Sequence, residues 1–449
     1  MPSSSLRDRR AAQAMETDVL VVGGGAAGLA AACTAARHGL KVTLLERYGF
    51  CGGASVAGLS GTICGLFLAR PDAAGAPEKI VFGFVDEFID AMRRRGGLTD
   101  PVRYGDTYTL VHEPLAWRET ADELLERHGV RVVYHSVVTG VYVEGGERIE
   151  GVRAHTRQGA LDIRAGVTLD ASGDADVFAM AGLPTTVGQD GKVQNPTMVF
   201  RMQNVDVARF VAAYGEDSIL PAEVSRAIAE ADAAGAYRLP RAKVFLFRTP
   251  RAGELLCNCT RILGRDGREL NPLVAADLTE AEIEGRRQAR EYWRFYRDTL
   301  VGCENAVLND TGVQVGVRQS RQIVGRETLA NADVESGRKR ADAIARSPWP
   351  IELHSGARPR LSWLYDDYYE IPLGAFVPPR GESLLAAGRC LSAQHEAMAS
   401  ARVTAQCFSY GHAMGHAAAL CAAHGVAVRD LAAADVRTLL NKDGVSFDA

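Results

Sequence analysis

The sequence predicts an α/β fold in which a discontinuous domain built on a parallel sheet is interrupted by an inserted α+β domain. Three observations lead there. An apolar strand, Asp18-Val-Leu-Val-Val22, runs into Gly23-Gly-Gly25-Ala26-Ala27-Gly28, and a second strand, Val42–Leu45, ends in the acid Glu46. From 186 to 375 the pattern changes to strand-like runs alternating with polar helices. An apolar strand ending in glycine, Ser383–Gly388, then restores the first pattern. The 449 residues divide accordingly into a disordered tail (1–16), a first part (17–185), an insert (186–375) and a second part (376–449).

The first unit has a chemical reading. Gly23 permits a sharp turn, Gly25 lets the backbone approach a pyrophosphate, and Gly28 lets the following helix pack close to the strand. The pyrophosphate then sits at the positive end of the helix that runs through Leu29 to His38. Glu46, 18 residues beyond Gly28, is placed to accept hydrogen bonds from a ribose. Strand, turn, helix and acid together specify a dinucleotide.

The later elements follow in order. Lys79–Met92 carries apolar residues at helical spacing and is stopped by Gly96-Gly97. Pro114 opens a helix that Gly129 closes, and Val130–Tyr134 reads as a core strand. An alternating meander turns at Gly145-Gly146 and Gln158-Gly159 before the strand Val167–Asp170. In the insert, Thr197–Met202 and Lys243–Phe247 are strand-like, and Thr279-Glu-Ala-Glu282 reads as a capping box opening a long helix through Tyr296. Near the end, Gly411 and Gly415 lie on one helix face, a spacing that permits close packing on the sheet.

Composition bounds the function. A hydrophobic content of 47% supports a large core, and a net charge of −4 leaves no electrostatic footprint for nucleic acid. Nine scattered cysteines suit reduced thiols in the cytoplasm better than a disulfide scaffold. Arg7, Arg9 and Arg10 lack the apolar stretch of an export signal, and no segment is long and apolar enough to span a bilayer. Self-association into a homo-oligomer is left open.

Directly after Glu46-Arg47 comes Cys51-Gly52-Gly53-Ala54-Ser55, and further motifs follow in order. They are Leu169-Asp-Ala-Ser172-Gly173-Asp-Ala-Asp176, Gln314-Val-Gly316-Val-Arg318-Gln-Ser-Arg321-Gln-Ile-Val-Gly325, Ile371-Pro372, and Leu384-Leu-Ala-Ala-Gly388-Arg389 with Arg402 beyond. This series resembles the FAD-dependent oxidoreductases with a glutathione-reductase-type Rossmann fold. Within them it is most similar to the group around the flavoprotein subunit of heterodisulfide reductase, and more distantly to fumarate reductase flavoproteins. The resemblance implies non-covalent FAD on Gly23, Gly25, Ala26, Ala27, Gly28, Glu46, Arg47, Gly52, Gly53, Ala54, Val138, Ser172, Gly173, Gly388, Arg389 and Val403. It also implies a helix amino terminus near Ala401–Val403 aimed at the flavin edge that becomes anionic on reduction. Arg402 matches the fumarate reductase arginine that grips a substrate carboxylate, although Val403 and Thr404 replace that family's glycines. His395, a few residues earlier, is a candidate general acid or base. Arg318, Arg321 and His354 are read as inter-domain salt-bridge residues ahead of substrate contacts.

Several absences narrow the activity. No second GxGxxG is present, and twelve residues separate Cys51 from Cys64, so neither a built-in nicotinamide domain nor a redox-active cysteine pair is expected. Cys257-Asn-Cys259 lacks the CxxC runs of iron–sulfur clusters, a departure from heterodisulfide reductase. Histidine is missing from 39 to 111, where fumarate reductases carry the residue bonded to FAD. The expected activity is hydride transfer between flavin N5 and a small organic substrate. A flavin-dependent monooxygenase and a non-catalytic or electron-transfer flavoprotein subunit are the alternatives.

Overall fold

The computed structural model describes residues 13–354 and 360–447. Strand β1 (Gln13–Val22) leads into helix α1 (Ala26–Ala36) and strand β2 (Val42–Leu45). Helices α2 (Phe84–Arg94) and α3 (Pro114–Arg127) precede β3 (Arg131–Val133), β4 (Val137–Glu144), β5 (Arg148–Thr156) and β6 (Gly159–Asp170). In the large sheet β3, β2, β1 and β6 run side by side and parallel, so the first sequence unit sits at its centre. The carboxy-terminal half of β6 continues into a parallel pairing with the late strand Leu384–Ala386, while its first half forms an antiparallel meander with β5 and β4. Val19, Leu20 and Val21 are fully buried between layers on both faces, as a central parallel strand requires.

The insert builds its own antiparallel sheet from β7 (Phe200–Gln203), β8 (Phe245–Arg248), β9 (Leu255–Asn258) and β10 (Val307–Thr311), in the order β8-β9-β7-β10. The long helix α4 (Ala275–Thr299), whose place in the chain lies between β9 and β10, packs behind this sheet. The insert's core runs from Met198 to Val315. Leu329, Ala343–Ala345, Ile351 and Tyr369–Phe376 join the core under the large sheet instead. Packing therefore draws the insert to a close just after Val315, well before 375.

The chain then completes the first domain with β11 (Leu384–Ala386), α5 (His395–Ala401), α6 (Thr404–His424) and α7 (Ala433–Lys442). Helix α6 lies along α1. A Cβ on Gly411 would fall 2.1 Å from the Ala27 carbonyl oxygen, and one on Gly415 would fall 2.7 Å from that of Ala31. Asp443, just past α7, accepts from His412 and His416 of α6 at 2.7 and 3.1 Å, which clasps the last helix in place.

Four expectations need correction. Gln13–Glu16, assigned to a disordered tail, extends β1, because the long β6 supplies partners from Leu161 onward; residues 1–12, with Arg7, Arg9 and Arg10, lie outside the described residues. The helix expected from Lys79 begins only at Phe84, since Gly83 at φ +103° breaks the run and its N–H is capped by Asp86. Thr279 does not open α4, which starts a turn earlier; its hydroxyl donates back to Ala275 O at 2.7 Å. The Gly411/Gly415 face packs on helix α1, not on the sheet.

Candidate active site

The turn after β1 is held by steric necessity. Gly23 has φ +105°, and a Cβ there would fall 2.4 Å from Ala171 O; a Cβ on Gly28 would fall 1.8 Å from Gly23 O. Turn, helix and the Ala171–Gly173 loop are thus pressed together with room for no side chain. Gly25 differs. It caps α1 with no side-chain hydrogen bond, and the nearest atom to an added Cβ is Gly53 Cα at 3.9 Å. The first N–H groups of α1 therefore face open space. Gly52 N–H donates to Gly24 O at 2.8 Å, locking the second glycine loop beside the first.

Glu46, 5% exposed, ends β2 beside this opening. Its Oε2 accepts from Gly24 N–H at 2.7 Å and its Oε1 from Tyr48 N–H at 2.8 Å. Burial raises its pKa, and those backbone donors oppose the rise. Its remaining lone pairs suit a diol. Arg47 Nη2 donates to Gln314 Oε1 at 3.0 Å, which ties the insert to the same edge.

One continuous cavity runs from here to the insert. Of the residues expected at the cofactor, Gly23, Gly25, Ala26, Ala27, Glu46, Arg47, Gly52, Gly53, Ala54, Val138, Ser172, Gly173, Gly388, Arg389 and Val403 line it. Gly28 does not; it lies behind the wall, where it sets the helix–strand distance. Arg389 is paired with Asp174 at 2.7 Å and donates to Ser320 Oγ at 2.6 Å. Midway along the cavity a second helix amino terminus appears, that of α6, capped by Val403 without a side-chain hydrogen bond. Arg402 precedes it in the wall. Its Nη2 donates to Gln194 Oε1 at 3.3 Å, its Nε has no partner among the described residues, and burial lowers its pKa.

Beyond α6 the cavity enters a chamber between the two domains, walled by Tyr104, Phe247 and Trp349. Glu352 lies there, its Oε1 accepting from Tyr104 Oη at 2.9 Å and from His354 Nε2 at 3.0 Å. His354 and the arginines Arg318 and Arg402 hold the carboxyl well below the usual range despite complete burial. Burial and Arg318 in turn push the His354 pKa well down, while Glu352 pulls it the other way. Cys64 lines the chamber too, but burial raises its thiol to about 12.

Sequence reasoning placed some of these groups and missed others. Arg402 is in the cavity. His395, the candidate acid or base, is not among its lining residues; it opens α5 with Nδ1 buried and without a partner among the described residues. Arg321 fits the structural reading, pairing with Asp176 at 3.0 Å, whereas Arg318 and His354 face the chamber. Tyr104, Trp349, Phe247 and Glu352 were missed. Glu352 and His354 had a usable signal: an acid and a histidine at i and i+2 share one face of an apolar strand. Tyr104 and Phe247 meet only through tertiary packing.

The donors and the cavity's shape fit an extended dinucleotide with a second ligand beyond it. A family model for FAD dependent oxidoreductase matches residues 18–440. Among curated proteins, the digeranylgeranylglycerophospholipid reductase of Thermoplasma acidophilum is 28% identical over 216 residues, 46% of this chain and 52% of that protein. The chain thus spans about half the length of the curated relative it matches. Among solved structures, a geranylgeranyl bacteriochlorophyll reductase-like protein from Thermoplasma acidophilum aligns with a TM-score of 0.52 at 15% identity, covering 96% of this chain and 84% of that one. A flavin-dependent brominase aligns with a TM-score of 0.51 at 12% identity, covering 95% and 84%. At such identities these two likenesses speak for the fold.

Proposed function

The chain belongs to the FAD dependent oxidoreductase family, is an enzyme with FAD as its cofactor, and from that premise we propose that it transfers a hydride between flavin N5 and a small organic substrate in the chamber between the two domains. The observation that carries this reading is the continuity of the cavity, from the amino terminus of α1, past that of α6, into the chamber of Tyr104, Trp349 and Glu352. FAD supplies the two-electron chemistry when bound. The chain supplies position and charge. Glu46 and the α1 terminus would hold the adenosine and pyrophosphate end, while Arg402 and the α6 terminus would put positive potential at the redox end. His354 turns its Nε2–H to Glu352, which leaves Nδ1 as the acceptor for a substrate proton. His395 does not line the cavity and is given no part in this scheme.

The cofactor is held without a covalent bond in this reading. Cys51 is fully buried with its pKa pushed up, and it lies outside the cavity lining. Acid precipitation is expected to release yellow FAD into the supernatant. Glu46→Ala should weaken FAD binding by about 1.5–3 kcal/mol, the scale of a charge-assisted hydrogen bond, read by titrating the apoprotein with FAD.

Neither NADH nor NADPH is expected to reduce the enzyme efficiently, because the chain carries one dinucleotide turn and no redox cysteine pair. Anaerobic stopped-flow mixing checks this, and rapid stoichiometric bleaching by either nucleotide would favour the monooxygenase alternative. The function itself is tested by an anaerobic screen of small organic compounds, with bleaching of the oxidised flavin band as the signal. The kinship to the heterodisulfide reductase group rests on the sequence blocks quoted above. The cytoplasmic assignment rests on nine free cysteines; no helix of the described residues is long and apolar enough to cross a membrane.

A further inference from the structure

Charge does not balance around the chamber. Arg241 and Arg318 are 2% and 6% exposed, and Arg402 stands in the wall beside them. Arg318 Nη1 donates to Asn195 O at 2.8 Å and its Nη2 to Asn258 Oδ1 at 3.4 Å. Arg241 reaches the same Asn258 Oδ1 at 3.1 Å and Lys243 O at 2.8 Å, its guanidinium lies 4.5 Å from the Phe245 ring centroid, and its Nη2 has no hydrogen-bond partner among the described residues. None of the three guanidiniums forms an ion pair among the described residues. The carboxylate that acts on Arg318 and Arg402 is Glu352, and its Oε1 already serves Tyr104 and His354. Lys243, partly buried nearby, draws first on Glu352 and then has Asp217 and Asp106 as further partners. Three positive charges therefore face one negative charge in a buried setting, which is too costly to persist without anionic ligands.

Arg402 accounts for one excess charge, since it stands beside the α6 terminus, where the edge of the flavin that becomes anionic on reduction would lie in the proposed function. We infer that the other is the seat of a substrate carboxylate: the enzyme acts on a small organic acid whose carboxylate docks on Arg318, with Arg241 behind it through Asn258. This rests on the chamber being the substrate site. Planar guanidinium groups match carboxylate geometry. The indole N–H of Trp349, buried and unpartnered on a residue that lines the same cavity, is a further donor for the bound acid.

Binding tests the inference without turnover. FAD-loaded full-length enzyme is titrated with benzoate and with benzamide, which has nearly the same shape and no charge, and with acetate and acetamide as a smaller pair. Flavin difference spectra and Tm are recorded. At least one acid should perturb the flavin saturably and bind ten or more times tighter than its amide. Arg318→Met should keep FAD and lose little of the ligand-free Tm, since the lost hydrogen bonds to Asn195 O and Asn258 Oδ1 are offset by removal of a buried cation that has no ion pair, yet bind that acid at least tenfold more weakly. Arg318→Lys should fall between. Acid and amide binding alike, no acid binding, or a Met variant that binds the acid as tightly as the parent would overturn the inference. So would a Met variant that fails to fold alongside a Lys variant with parental binding. Failure of hydride transfer shows separately, as no bleaching in the substrate screen.

Discussion

Arg402→Ala is expected to yield a folded, yellow protein whose turnover has fallen by about a hundredfold or more, the scale for losing one preorganised donor to a developing oxyanion. The side chain is in the cavity wall, and among the described residues its Nε is unpartnered and its one side-chain hydrogen bond is the 3.3 Å contact to Gln194. Little in the resting protein depends on it, so its loss should cost little stability. The FAD midpoint potential should fall in the same variant, because removing a fixed positive charge disfavours the anionic reduced form. That reading does not require the substrate to be known. Arg402→Lys keeps the charge and loses the planar fork, so it should restore the potential better than the turnover. An Ala variant with parental turnover and potential would return Arg402 to domain packing.

The cofactor half of the site was legible because its demands are local. A turn that excludes Cβ atoms, an uncapped helix and an acid at the end of the next strand all fall within Gly23–Glu46, and spacing along the chain reports them directly. Val138 and Gly388 came from the resemblance, and the sheet brings both to the same cavity. The substrate half is assembled from far-apart segments: Tyr104 from the first part, Phe247 and Asn258 from the insert, and Glu352 and His354 from the stretch that returns to the large sheet. No local pattern announces that these meet. His395 drew attention because it is a histidine near Arg402 in sequence; it opens α5 and is not among the residues lining the cavity. The capping-box reading of Thr279 failed for a related reason. The sequence shows where a helix is able to start, whereas packing of α4 against the second core carries it a turn further.

Gly25 and Gly28 separate what the fold needs from what the cofactor needs. In Gly28→Ala the new methyl carbon would fall 1.8 Å from Gly23 O, a backbone atom that cannot yield without opening the turn. Stability should drop by about 3 kcal/mol or more, the upper range for overpacking, and FAD should be lost with it. Gly25→Ala places its methyl carbon 3.9 Å from the nearest atom, and its φ of −69° is open to any residue. The apoprotein should then unfold at nearly the parental Tm. Its affinity for FAD should nevertheless fall at least tenfold, because the methyl group occupies the approach that the pyrophosphate takes to the amino terminus of α1. Thermal melts of the two apoproteins, set beside FAD titrations, distinguish the cases. Parental FAD affinity in Gly25→Ala would move the pyrophosphate away from this turn and, with it, the redox end away from Arg402.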